Sequence, residues 1–205
     1  MITIVNYDMG NLGSIYNMFK YLNIDVKISS DIYDIEKAEK ILLPGVGSFD
    51  MAIKKIKEKN LWDVLNEKAL VKKVPILGIC LGMQLLTTSS EEGSEKGFGW
   101  INAKTLSFKD KIAGNLKIPH MGWNIVKKSG KSDLTIGFED FDEVRFYFVH
   151  SYFVQVENET NSIFKTIYGV EFDSAIQNEN IFGAQFHPEK SHKFGMKLFE
   201  NFAKV

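Results

Sequence analysis

The chain has one cysteine, Cys80, among 205 residues. Without a second thiol an intrachain disulfide is excluded, and a thiolate metal cage lacks its ligands. No His-Glu-x-x-His spacing stands in for them, so neither a metal nor another cofactor is expected. An excess of one charge is also missing. Lys and Arg total 25 against 26 Asp and Glu, a net −1, and there is no basic block to hold nucleic acid or an anionic membrane. No apolar run approaches the roughly 20 residues of a membrane span, and the start, Met1-Ile2-Thr3-Ile4-Val5, has no basic region followed by a cleavage site. A lone thiol fits a reducing compartment, so the expectation is a soluble cytoplasmic protein. Low-complexity segments, repeats and Pro/Gly/Ser-rich linkers are absent too, which places one domain over residues 1–205.

What is present is alternation. Short β-branched runs (Ile2 to Tyr7, Val26 to Ser29, Ile41 to Leu43) are interleaved with helical periods, as in Leu12, Ile15, Phe19 and Leu22. That pattern predicts an α/β, three-layer fold with a mostly parallel central sheet and helices on both faces. From Ser48 the chain reads as helical, with an apolar stripe at Leu61, Val64, Leu65 and Ala69. Val74 to Ile79 then reads as a buried strand running into a helix from Cys80. The second half changes character. Thr105 to Phe108, Arg145 to His150, Phe164 to Tyr168 and Ile181 to Phe186 follow one another with few helical stretches, and are expected to extend the sheet as antiparallel strands. A final helix turns Phe194, Leu198 and Phe202 to the core.

Gly78-Ile79-Cys80-Leu81-Gly82, between an apolar strand and a helix, has the form of a nucleophile elbow. Its glycines leave room for close backbone passage. The helix N-terminus favours a thiolate, and the Leu81 N–H is placed to meet a developing oxyanion. Of four histidines, His187 is the preferred base: it ends an apolar strand, and Glu189, two residues on, can orient and charge-stabilise its ring. His120 and His150 read as structural hydrogen-bonders and His192 as a surface residue. A second glycine cluster, Pro44-Gly45-Val46-Gly47, lacks the ending of a phosphate-binding loop. It reads instead as a mobile turn presenting an N–H from Val46 or a neighbour as a second oxyanion donor; a plain strand-exit turn is the simpler alternative.

Together GICLGMQ and FHPE resemble the class I glutamine amidotransferases, and PGVGSF, PHMGWN, HSY and HPEKS resemble one branch, the glutaminase subunits of imidazole glycerol phosphate synthase. The resemblance runs from Asp8 to the last helix. It implies that Cys80 attacks the carboxamide of L-glutamine, that His187 passes a proton to departing ammonia, and that a glutamyl thioester is hydrolysed. It also implies that Gly45, Gly47, Gln84, Ser151 and Tyr152 surround the substrate, with Val46, Gly47 and Leu81 at the oxyanion. The partner it implies is a (β/α)8-barrel synthase that receives ammonia through a channel and forms imidazole glycerol phosphate and aminoimidazole carboxamide ribonucleotide. Asn11, Met121, Gly122, Trp123, Tyr147 and Lys190 match positions at that interface. One departure is Asn11-Leu12-Gly13-Ser14, where the family commonly carries Asn-Leu-Arg-Ser. It keeps open a paralogous role, supplying ammonia to a sugar-modifying synthase of surface polysaccharides. A cysteine peptidase or related hydrolase and a catalytically dead binding module are the rival readings. The His-Pro-Glu strand end and Gln84 speak against the first, the intact Cys-His-Glu set against the second.

Overall fold

Strand β1 (Ile2–Val5) is buried along its whole length, so both its faces must be covered. The computed structural model describes residues 1–112 and 116–205. Within them β1 pairs in parallel with β2 (Val26–Ser29) and β3 (Lys40–Leu43). β3 continues to β4 (Ile76–Ile79), and β4 to β13 (Ile181–Ala184), all in parallel. Helices α1 (Leu12–Tyr21) and α6 (His192–Lys204) cover one face of this parallel half, with Phe19 stacked on Phe199 at 4.4 Å between ring centroids. The other face is covered by α2 (Ile32–Glu36), α3 (Phe49–Glu58), α4 (Leu61–Asn66) and α5 (Leu81–Leu85), through Ile35, Ile53, Ile56, Leu65 and Met83. The result is the expected three-layer α/β architecture.

Beyond β13 the sheet turns antiparallel. It passes through β12 (Val170–Asn178) and β10 (Tyr152–Val156) to β6 (Ala103–Ser107), with short β5 (Ser89–Ser90) added in parallel at the edge; β11 (Ser162–Tyr168) pairs antiparallel with β12 and with β8 (Lys127–Lys128). Three expectations are corrected. Ile181 to Phe186 is not simply an antiparallel addition: its strand, β13, ends at Ala184 and lies parallel to β4, antiparallel only to β12. Arg145 to His150 does form a strand, β9 (Arg145–His150), but it pairs only with β7 (His120–Ile125), as a separate two-stranded ribbon. The helical stretch after Ser48 is broken at Asn60, whose left-handed backbone (φ 56°) ends α3 and restarts the chain as α4, followed by a π-helical turn at Glu67–Val71.

Candidate active site

Three loops leave the C-terminal ends of adjacent parallel strands: Pro44 to Gly47 after β3, Cys80 after β4 and His187 just beyond β13. Crevices at this edge are where open α/β sheets hold ligands. Here the loops border a cleft of about 330 Å³ lined by Val46, Gly47, Cys80, Leu81, Gln84, Ser151, Tyr152 and His187, together with Glu92, Pro119, Val149 and His150.

Cys80 sits at φ 54°, ψ −110°, a sharp turn that non-glycine residues rarely adopt and that functional sites hold against its strain. Close packing enforces it. A Cβ on Gly82 would fall 1.8 Å from the Leu43 carbonyl oxygen, and one on Gly78 would fall 2.5 Å from that of Gly82. Strand, turn and helix therefore pass at distances only glycine allows. The thiol is 7% exposed, facing the cleft. α5 runs for only five residues, so its dipole is weaker than a longer helix beyond Cys80 would supply.

His187 Nδ1 lies 2.8 Å from Glu189 Oε1, both side chains almost wholly buried, and among the described residues His187 Nε2 has no hydrogen-bond partner. Burial opposes a charge on this ring, but the interactions with Cys80 and Glu189 outweigh it and push the pKa up to about 10. An imidazolium beside a thiol in one cleft can deliver a proton to a leaving group and take it back from water. His150 Nδ1 donates to the Tyr152 carbonyl at 2.6 Å, so its Nε2 accepts from His120 Nδ1 at 2.9 Å. Burial holds both rings neutral, with pKa values lowered to about 4 for His120 and about 3 for His150. His150 is part of the cleft wall, with His120 hydrogen-bonded to it, and His192 is exposed, at the start of α6.

Gln84 is buried, its Nε2 3.3 Å from the Tyr152 carbonyl and 3.2 Å from Gln185 Oε1, so both amide hydrogens are committed and only its oxygen is left to offer. Gly45 is not among the residues lining the cleft. It lies beneath the turn, where a Cβ would meet the Tyr7 hydroxyl at 2.6 Å, and that hydroxyl donates to the Pro44 carbonyl. Tyr7 is fully buried, which raises its pKa, as does the charge of Cys80. Glu92 has no motif to announce it. Its carboxylate accepts from Phe49 N–H at 2.9 Å, capping α3 where Ser48 makes no side-chain cap, and burial raises its pKa.

The interface candidates lie apart from the thiol. Met121 and Trp123 are exposed on β7 at 62% and 44%, Gly122 and Tyr147 are half-buried, and Asn11 and Lys190 are exposed. Trp123 stacks on His192, and the Lys190 ammonium lies 5.7 Å from the Tyr147 ring centre. Among the described residues no group of three or more His, Cys, Asp or Glu is placed to hold a metal ion, and no helix is long and apolar enough to cross a membrane.

The glutamine amidotransferase class-I family model matches residues 3–205. The chain is 55% identical over its full length to imidazole glycerol phosphate synthase subunit HisH 2 of Methanococcus maripaludis, covering 99% of that protein. It is 42% identical, over the whole of both chains, to subunit HisH 2 of Pseudomonas aeruginosa. Among solved structures it is similar to one described as a glutamine amidotransferase, with a TM-score of 0.77 at 15% identity and full coverage of both chains. PurLQS from Thermotoga maritima gives a TM-score of 0.72 at 19% identity, covering 99% of this chain and 97% of that one. The two structures show the fold; the family match and the relatives, end to end, show that the chain belongs to the glutamine amidotransferase class-I family, alongside imidazole glycerol phosphate synthase HisH subunits.

Proposed function

We propose that the chain is the glutaminase subunit of an imidazole glycerol phosphate synthase, hydrolysing L-glutamine to L-glutamate and ammonia for histidine biosynthesis. The observation that carries this is the single cleft containing the Cys80 thiol and the unpartnered Nε2 of a histidine held by a buried carboxylate. The Cys80 thiolate adds to the carboxamide carbon, and the resulting oxyanion is met by the Leu81 N–H and by the Val46–Gly47 turn. As the tetrahedral species collapses, the C–N bond breaks and the His187 imidazolium gives its proton to the departing nitrogen, releasing ammonia. His187, now neutral, takes a proton from water as that water attacks the thioester. Glutamate leaves and the thiolate–imidazolium pair returns. Glu189 keeps the ring oriented and favours its cation.

The substrate's other end is read by complementary groups. Gln84 offers an acceptor oxygen and Glu92 a carboxylate to the α-ammonium, while Ser151 and Tyr152 flank the α-carboxylate side. Ammonia released in this cleft needs a protected route, because in water it would be protonated. The names carried by the relatives favour a synthase partner, here a (β/α)8 barrel, over a sugar-modifying one. Asn11, Met121, Gly122, Trp123, Tyr147 and Lys190 are proposed to meet it. A nucleophile that must stay reduced suits the cytoplasm.

The test is glutamate release by the chain with and without the barrel subunit and its nucleotide ligand. Stimulation of kcat on the order of 10² or more is expected, comparable to gaining one oxyanion donor. A glutamine-like diazo ketone should label Cys80, and Cys80→Ser should abolish turnover with the fold intact. A complex that releases no glutamate, or labelling at another residue, overturns the proposal.

A further inference from the structure

Strands β4 and β13 are in parallel register with Ile79 opposite Ala184, so the next residues along, Cys80 and Gln185, leave the sheet side by side. The Cys80 N–H donates to the Ala184 carbonyl at 2.7 Å, tying the two chain segments together at this row. The Gln185 side chain is fully buried, its Nε2 3.8 Å from Cys80 Sγ and its Oε1 accepting from Gln84 Nε2.

One atom settles which way each amide points. The Tyr152 carbonyl can only accept, so Gln84 must turn its nitrogen toward it. The second hydrogen of that nitrogen then requires the oxygen of Gln185, which leaves Gln185 Nε2 as the group aimed at the sulfur. The Tyr152 carbonyl is itself held by His150, and His150 by His120. Neither amide can flip alone: turning Gln84 sets acceptor against acceptor, and turning Gln185 sets donor against donor.

Besides the charge interaction with His187, the sulfur has a second hydrogen-bond contact, the Val149 carbonyl at 3.8 Å. The two contacts answer to opposite protonation states. A thiol can donate to the carbonyl; a thiolate has no hydrogen to give, is repelled by that oxygen, and accepts from the amide instead. Gln185 therefore favours the reactive form and Val149 the resting thiol. The His187 imidazolium supplies the opposing charge in the same cleft, and a five-residue α5 adds little to these.

We propose that Gln185 holds the Cys80 thiolate, its amide N–H acting as the fixed donor to sulfur, with Gln84 setting the direction of that amide while its own oxygen reads the substrate. This rests on Cys80 being the nucleophile of the glutaminase. The same N–H serves both halves of the reaction, since the sulfur enters as a thiolate and leaves the thioester as one. Glutamine occupancy and thiolate stability are thereby joined through two side-chain amides.

The chain's only cysteine makes the test direct, because the rate of iodoacetamide alkylation against pH reads the thiolate fraction of Cys80 alone. Gln185→Met keeps the volume and removes the donor; Gln185→Glu keeps the shape and replaces the donor with a charged acceptor. The titratable groups around the sulfur (His187 with Glu189, His150, Tyr7 and Glu92) are the same in both variants. The apparent pKa of alkylation should rise by about one unit in Gln185→Met, the scale expected for losing a hydrogen bond to a charged group. It should rise further in Gln185→Glu, with kcat reduced about tenfold or more in each. Gln84→Met should instead act mainly on KM for glutamine. Thermal melts by circular dichroism establish that the variants are folded, and Gln185→Glu serves if Gln185→Met is not. A Gln185→Met or Gln185→Glu profile that overlays the wild type, or a wild-type profile of an ordinary thiol, overturns the proposal. Failure of the glutaminase reading looks different: the wild-type complex releases no glutamate although its alkylation profile still shifts with Gln185.

Discussion

Glu92 and His187 make separable contributions at the scale of single residues. Glu92→Gln keeps an oxygen to cap Phe49 N–H but loses the charge offered to an α-ammonium. We expect KM for glutamine to rise about tenfold with kcat little changed, the size of a charge-assisted hydrogen bond lost from binding. Steady-state assays of the complex would show it. His187 has its pKa raised from 6.5 to about 10 on folding. Its ion pair therefore contributes stability fully below about pH 6.5 and loses it as the pH climbs through about 10. On the acid side of that point the ring stays charged, so kcat/KM should be flat from neutral pH upward and fall as 10 is approached. Glu189→Gln should draw the falling limb to lower pH, and an unmoved limb would sink the assignment of Glu189. Cys80, His187 and Glu189 were legible in the sequence because each sits in a short motif with a local steric or electrostatic reason. Glu92 and Gln185 were not. Glu92 reaches the cleft only because its loop is tied to α3, and Gln185 reaches the sulfur only through a strand pairing between distant segments.

At the scale of elements, the ribbon of β7 and β9 shows why one strand escaped notice. Along β7 the buried position is His120, while Met121, Trp123 and Ile125 face outward, so the alternation is present with its polarity reversed. Read by hydrophobicity alone such a run does not look like half of a buried sheet. β12 was missed for a different reason: its centre, Phe172 to Ile176, is buried on both faces and includes Asp173 and Ser174, so it shows no alternation. The strands of the first half were legible because the parallel half of the sheet is built from continuous apolar runs. The ribbon's inner end is the pair His120 and His150, directly opposite in register and both held neutral by burial. Each has its pKa lowered on folding, so the unfolded chain binds protons the folded one refuses, and stability must fall as pH drops from about 6.5 toward 4. Urea unfolding across that range should show this loss in wild type and a flatter dependence in a His120→Phe, His150→Leu variant. Equal slopes would mean that the pair is not what acid attacks.

The whole molecule presents its cleft and its outward apolar ribbon as neighbours, since β9 carries Val149 and His150 in the cleft wall while β7 carries Met121 and Trp123 outside. If the ribbon is the docking face, Trp123→Glu should weaken the complex with the barrel subunit by on the order of 2 kcal/mol, the cost typical of losing a buried aromatic anchor. Sedimentation or titration calorimetry would measure it, and unchanged affinity would move the interface elsewhere. Gly13, where a Cβ would meet nothing within 4 Å, lies in α1 two residues after Asn11, another residue proposed to meet the partner. Its open surroundings give an arginine room without any internal rearrangement.

The pairing of β4 with β13 also sets an order of events during synthesis. Gln185 is 105 residues from the sulfur it touches, and His187 follows it, so the ribosome completes the elbow long before the groups that arm it. A nascent chain that has passed Cys80 but not yet Ile181 carries a thiol with neither donor nor base beside it. With the roles proposed for Gln185 and His187, such a chain stays inert toward glutamine until β13 pairs with β4.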